Sequence, residues 1–402
     1  MGKAAGEKST KEESMTNLMK GTFPIEKFRE RETPFYYYDT DLLHQTLDLV
    51  KKESDRYGYK VHYAVKANAN PGILKIIASY GLGADCVSGP EVSAALAAGF
   101  AADRIVFAGV GKTDKEIGLA LDGDIFCFNA ESMPELEVID TLAGERGKRA
   151  RVALRINPNV DAHTHKKITT GLDENKFGFS MRDLFPAVEY VQKAPNLDLA
   201  GIHFHIGSQI TDFSAYEDLC VRINELQDEL ESKGIVLKNI NVGGGLGINY
   251  EHPNHFPIAD FETYFRLFHK NLRLREGQTL HCEPGRSIVA QCGTMITKVT
   301  YVKQGTFKKF AIVDAGMTDL IRPALYDAYH RIENLTSEDT EEVYDVVGPI
   351  CESSDVFQTE VHLNGVKRGD LLAIRSAGAY GEVMASRYNL RALPEGYLSD
   401  EM

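Results

Sequence analysis

The chain has 402 residues, 43% hydrophobic and 26% charged, enough to bury a large core and build two or three domains. Its 58 acidic side chains outnumber 45 basic ones, and a net charge of −13 repels phosphate backbones and anionic membranes, so nucleic acid is not an expected partner. No apolar run approaches the roughly 20 residues that span a bilayer, and no signal core follows the N-terminus, so a cytoplasmic address is expected.

Residues 1–20, MGKAAGEKSTKEESMTNLMK, are small, polar and charged, the composition of a disordered arm. From residue 39 to 287, short apolar, β-branched stretches alternate with helical ones. The strands read as VHYAVK (61–66), GADCV (83–87), RIVFAG (104–109), DIFCFN (124–129), RVALRIN (151–157), LAGIHFHIG (199–207), NINVGGG (239–245) and TLHCEPG (279–285). PEVSAALAAGF and FSAYEDLCVRINELQDELESKG between them have helical periodicity, the second stopping at Gly234. Eight βα units predict an α/β TIM (β/α)8 barrel, whose active site lies at the carboxyl ends of the strands.

Those ends carry the unusual residues. Lys66 closes the first strand. Burial makes its amine costly to charge and so nucleophilic, as Schiff-base chemistry needs, but a structural lysine ion-paired inside the barrel is an equal reading. Asn157-Pro158 end the fifth strand, and His205 and Ser208 the sixth. His203 and His205 share a face, a spacing that suits ring stacking better than a metal, because a metal site would want further ligands at other strand ends. The Gly243-Gly244-Gly245 turn after the seventh strand lets backbone amides approach an anion, and Glu283-Pro284-Gly285-Arg286 adds glycine and arginine after the eighth. Barrels commonly bind phosphate at these two loops. Glu283 could pair with a protonated pyridine nitrogen, or with a nearby arginine.

After residue 287 the texture becomes strand-like through 402, with hairpin signals at Lys303-Gln304-Gly305 and Asn364-Gly365. A C-terminal all-β domain, a barrel or sandwich of 288–402 joined by 21–38, is expected. The six cysteines, at 86, 127, 220, 282, 292 and 351, have no Cys-x-x-Cys spacing and read as free thiols.

The ordered motifs YAVKAN, HFHIGSQ, NVGGGLG, EPGRSIVA, GPICESSD and AGAYGEVMASRYN resemble the fold III pyridoxal phosphate-dependent decarboxylases over about residues 21 to 400. Within them they are similar to the branch that acts on diaminopimelate. The resemblance implies an alanine racemase-like architecture and pyridoxal 5'-phosphate as cofactor. It implies that Lys66 holds the cofactor as a Schiff base, that Glu283 holds the pyridine nitrogen and that His205 stacks on the ring. Ser208, Gly245 and the amides of Gly285 and Arg286 would bind the phosphate beside Pro284, with Tyr380 reaching it from the β domain. Cys351 would be a proton donor supplied across a homodimer interface; the alternative, a small buried core residue, sits poorly with its polar surroundings.

The implied reaction is decarboxylation of meso-diaminopimelate to L-lysine, the last step of lysine biosynthesis. Its substrate carries a second amino-acid head, which calls for arginines and an acid; Arg286, Arg322 and Glu352 supply these, with Tyr326 and Tyr380 as hydrogen-bonding partners. The stretch 163–180, with HKKITTGLDENKFGFS, resembles the family's specificity segment. The alternative is a decarboxylase of another diamino acid or polyamine precursor, carboxynorspermidine or arginine; CESSD and the paired arginines argue against it. A racemase of this fold would put arginine where Glu283 stands, and a non-catalytic pyridoxal phosphate-binding regulator would lack the β domain.

Overall fold

The structure, a computed structural model, describes residues 21–158, 160 and 176–402. The expected arm at 1–20 and the part of the 163–180 stretch up to residue 175 lie outside the described residues. Packing divides the chain into two units: one of His44–Gly247 and Asp260–Ile288, the other of the residues up to Leu43, Ile248–Ala259 and Val289–Met402.

Strand β1 (Phe35–Tyr38) belongs to the second unit, and eight parallel strands close the first into a barrel. These are β2 (Lys60–Ala64), β3 (Gly83–Cys86), β4 (Ile105–Phe107), β5 (Cys127–Ala130), β6 (Ala150–Arg155), β7 (Leu197–His203), β8 (Asn239–Asn241) and β9 (Thr279–Cys282). The expected (β/α)8 architecture is present, with strands shorter than the apolar runs suggest. The difference has a physical reason: Lys66, His205 and Gly243 to Gly245 lie beyond the last ladder pair of their strands, in turns that leave the sheet to form the mouth.

Most of the helices that follow these strands start where a side chain satisfies a free amide, the exceptions being Leu184–Lys193 and Ser214–Ser232. Ser88 accepts from Glu91 N ahead of helix Gly89–Ala98, which ends at left-handed Gly99. Thr113 and Glu116 form a reciprocal capping box at Asp114–Asp122. Ser132 caps Met133–Glu145 by accepting from Glu135 N, and Asp260 caps Phe261–Asn271 by accepting from Thr263 N.

In the second unit, β10 (Gly293–Gln304), β11 (Lys309–Val313), β12 (Ile332–Asn334), β13 (Glu341–Val347), β14 (Val356–Asn364), β15 (Leu371–Ile374) and β16 (Glu395–Leu398) form sheet in the order β12-β15-β10-β11-β13-β14. The early strand β1 pairs antiparallel with β10 and parallel with β16. The aromatic segment before the barrel therefore completes a sheet made mostly from the end of the chain, over a core of Phe28, Phe35, Tyr37, Ile296, Leu335 and Leu371. β10 leaves β1 and β15 for β11 from Val299 onward, with a bulge between Val299 and Tyr301.

The Lys303-Gln304-Gly305 signal makes a hairpin between β10 and β11. Asn364-Gly365 does not, because β14 and β15 pair with different strands. Gly365 N instead donates to Thr340 O and Asn364 Nδ2 to Asp339 O, which end the β13-β14 ladder and send the chain onward. GPICESSD forms the turn of the β13-β14 hairpin, held by Asp355, whose carboxylate accepts from Ile350 N and Met317 N at 2.6 Å each. Among the described residues, no helix is long and apolar enough to cross a membrane.

Candidate active site

The barrel interior is lined by polar side chains at alternating strand positions, which is where the period of a strand points every second residue. Glu283, just past β9, is buried. Its Oε1 accepts from Asn129 Nδ2 at 3.1 Å and Asn241 Nδ2 at 2.6 Å, and its Oε2 lies 2.8 Å from His203 Nε2. Burial alone would push this carboxyl up. The hydrogen bond from His203 and the charge of Lys66 outweigh burial, so the group is held well below the usual carboxylate range and stays ionised. Asn241 also accepts from Gly243 N at 2.9 Å, tying the carboxylate cage to the glycine turn.

Lys66 lies in the 3-10 turn Val65–Ala67 that continues β2. Its half-exposed Nζ donates to Asp85 Oδ2, 3.1 Å away on β3. Asp85 is buried, and burial, with the charge of Glu283 adding to it and Lys66 opposing, pushes its carboxyl up to about 7. The ion-pair reading and the reactive-amine reading of Lys66 are thus compatible: the pair sits at the mouth rather than deep in the wall. Lys112 is the structural lysine of this barrel. Its Nζ is sealed from solvent and donates to Gly109 O and Asn129 O at 2.9 Å and to Glu135 at 2.5 Å, anchoring the β5 end that carries Asn129.

The glycine turn is sterically obligatory. Gly243 and Gly245 have φ of +69° and +105°, and a Cβ on Gly244 would come within 2.2 Å of the Glu283 carbonyl oxygen. A Cβ on Gly245 would meet Gly207 O at 2.7 Å, and one on Gly285 would meet Ala64 Cβ at 2.9 Å. Pro284 O accepts from Ala64 N at 3.2 Å, so the loop after β9 is stitched to β2. Arg286 is buried and donates to Ser208 Oγ at 2.9 Å. His205 Nδ1 accepts from Gly244 N at 3.3 Å. Burial, together with Arg155 and Lys66, pulls its imidazole well below the ordinary histidine value, so it is neutral. His203 and His205 share a strand face as expected, but turn to different partners.

These residues fit pyridoxal phosphate. A half-buried amine, an ionised buried carboxylate, a neutral imidazole and a cradle that a single Cβ would fill converge at one end of the barrel.

The β unit carries the remaining candidates. Arg322 opens helix Arg322–Tyr326 and is buried; its Nη1 donates to His330 Nε2 at 2.8 Å, and its guanidinium lies 5.2 Å from the centre of the Tyr250 ring. His330 is fixed from behind by its Nδ1, 2.9 Å from Arg375 O. Tyr326 shares the helix of Arg322 and is half-buried. Cys351 and Glu352 are exposed in the β13-β14 turn, with Glu352 accepting from Tyr388 Oη at 2.8 Å. The other five cysteines are buried. Tyr380 adopts a φ of +56°, uncommon for a side chain of this size.

Residues 41–290 match the family model of the pyridoxal-dependent decarboxylase, pyridoxal binding domain. The diaminopimelate decarboxylase of Bacteroides thetaiotaomicron is 62% identical over 96% of this chain and 100% of its own length. The chain belongs to the diaminopimelate decarboxylase family. The Aquifex aeolicus member is 43% identical over 89% of this chain and 84% of its own. A crystal structure of the Helicobacter pylori enzyme complexed with L-lysine is 43% identical, with a TM-score of 0.86 over 92% of this chain and 93% of that one.

Within this family setting, the sequence reading missed Asp85, Asn129 and Asn241, and did not use His203. The signal was available. Each is a polar residue inside an otherwise apolar strand, and strand periodicity turns polar residues at these positions inward. His330 and Tyr250 carried no such signal, since both lie in irregular segments.

Proposed function

We propose that this chain decarboxylates meso-2,6-diaminopimelate to L-lysine and carbon dioxide with pyridoxal 5'-phosphate, as the last step of lysine biosynthesis. The observation that carries the reading is one barrel mouth at which Lys66 paired with Asp85, the Glu283 carboxylate held by three donors and the Gly243 to Gly245 turn meet. Bound there, the cofactor supplies an electron sink for the pair left behind as carbon dioxide departs. Lys66 is its covalent anchor, and Asp85 orients the amine. Glu283 presents an ionised carboxylate to the pyridine nitrogen, and neutral His205 stacks on the ring. Ser208, Gly245, Gly285 and Arg286 bind the phosphate beside Pro284, with Tyr380 contributed by the β unit.

Recognition of the distal amino-acid head requires cations for its carboxylate and an anion for its ammonium. Arg286 and Arg322 fill the first role and Glu352 the second, while Tyr326 and Tyr380 add hydrogen bonds. Cys351 delivers a proton to the carbon that has lost its carboxylate. It does so from the second subunit of a homodimer, for which an exposed thiol on a rigid hairpin turn is suited.

Carbon dioxide release is to be measured side by side on meso-diaminopimelate, ornithine, arginine and carboxynorspermidine. Turnover of the first is expected, and preference for any other overturns the substrate reading. Borohydride reduction of the loaded protein should fix the cofactor on the peptide bearing Lys66 and on nothing in Lys66→Ala. Mixing inactive Lys66→Ala and Cys351→Ala protomers should restore activity in hybrid dimers; no recovery would count against a shared site.

A further inference from the structure

His203 is the one histidine of the HFH motif that the proposed chemistry does not use. It ends β7, is buried, and has Nε2 at 2.8 Å from Glu283 Oε2, while its Nδ1 is sealed from solvent with no hydrogen-bond partner among the described residues. Proton counting decides its state. A carboxylate only accepts, so the shared proton sits on Nε2. A second proton on Nδ1 would be a buried donor with nothing to bond, the costliest way to leave a polar group, and would bury a second charge. His203 is therefore a neutral Nε2–H imidazole.

The other donors to Glu283 are neutral as well. Asn241 is held in one orientation by accepting from Gly243 N, so its Nδ2 must face the carboxylate, and Asn129 Nδ2 completes the set. Three neutral donors fix the carboxylate in position without cancelling its charge. An imidazolium at the same place would form a closed ion pair and leave little attraction for anything else.

We infer that His203 is a positioning residue for the decarboxylation: as a neutral donor it locks the Glu283 carboxylate in one rotamer and keeps its full negative charge available to a protonated ring nitrogen. The inference rests on the reading that Glu283 faces the pyridine nitrogen of the cofactor. The charged and titratable groups around the pair are Lys66 in the turn after β2, His62 on β2, Asp85 on β3, Cys127 on β5, His205 beyond β7, Tyr264 in the helix before β9, and His281 and Cys282 on β9.

The test uses the full chain in three forms: wild type, His203→Leu and His203→Gln, the last of which keeps a neutral N–H donor. Nitrogen-15 NMR of histidine-labelled, cofactor-free wild type should show an imidazole protonated on Nε2 alone whose signals vanish in both variants. A doubly protonated ring at that position overturns the inference without needing any variant to fold. The dissociation constant of pyridoxal phosphate, measured by fluorescence as a ratio to wild type, should be about tenfold or more weaker for His203→Leu near pH 6 and converge on wild type near pH 9. Losing one of three donors lifts the Glu283 carboxyl toward neutrality. His203→Gln should follow wild type throughout. A His203→Leu ratio constant with pH, or a glutamine variant as impaired as the leucine variant, overturns the inference in favour of a packing role. Glu283→Gln separates the two levels: unchanged cofactor retention there sinks the underlying reading of Glu283, whereas a loss there with an unaffected His203→Leu sinks only the role of His203.

Discussion

Asp85→Asn removes a buried carboxyl while keeping its shape and an oxygen to accept from Lys66 Nζ, so it isolates one proton. In the unfolded chain this group titrates near 3.8, and in the folded barrel burial pushes it up to about 7. The folded chain therefore binds the proton more tightly. The associated stability is fully present below pH about 4 and disappears as pH rises through about 7. The rise from 3.8 to about 7 corresponds to about 4 kcal/mol in total, of which about 2 to 3 kcal/mol falls between pH 5 and pH 8. Cofactor-free wild type should lose that much more stability than Asp85→Asn over this interval. Urea unfolding followed by far-UV circular dichroism measures it, with hydrogen exchange of the β3 amides reporting on the barrel separately from the β unit. Parallel stability profiles for the two proteins, agreeing within about 0.5 kcal/mol, would refute the claim that Asp85 is held protonated in the folded state at acid pH.

Gly244→Ala places a Cβ 2.2 Å from a backbone oxygen, so the loop must move; a loss of about 1 to 3 kcal/mol in thermal unfolding is expected, with weaker cofactor retention by equilibrium dialysis. His330→Leu removes the acceptor of Arg322 Nη1, and steady-state kinetics should show KM for diaminopimelate rising about tenfold or more while kcat changes little. Asp355→Asn cannot accept at both of the amides its carboxylate now serves. The β13-β14 turn should lose about 1 to 3 kcal/mol of local stability, read as faster limited proteolysis within 348–355.

Much of this molecule is legible locally. The alternation of apolar strands with capped helices is a short-range pattern, because side-chain period and capping chemistry act over a few residues. Lys66, the Gly243 to Gly245 turn and Glu283 stand out because each is chemically anomalous at a strand end. Partner choice is another matter. Asn364-Gly365 has the local chemistry of a hairpin turn, yet the strands on either side of it pair elsewhere, since pairing is decided by which apolar faces can be buried together.

The amino-acid sequence by itself determined the barrel class, the order of the strands and the anomalous residues that mark their ends. Only the tertiary structure decided what those residues do to one another. The three donors to Glu283 come from positions 42, 80 and 154 residues away, and barrel closure alone brings β5, β7, β8 and the end of β9 around one carboxylate. Placement of 248–259 with the β unit, where Tyr250 faces Arg322, is likewise a matter of packing. The reason is physical: hydrogen bonds and desolvation act over a few ångströms in space, and the chain sets those distances only when it closes.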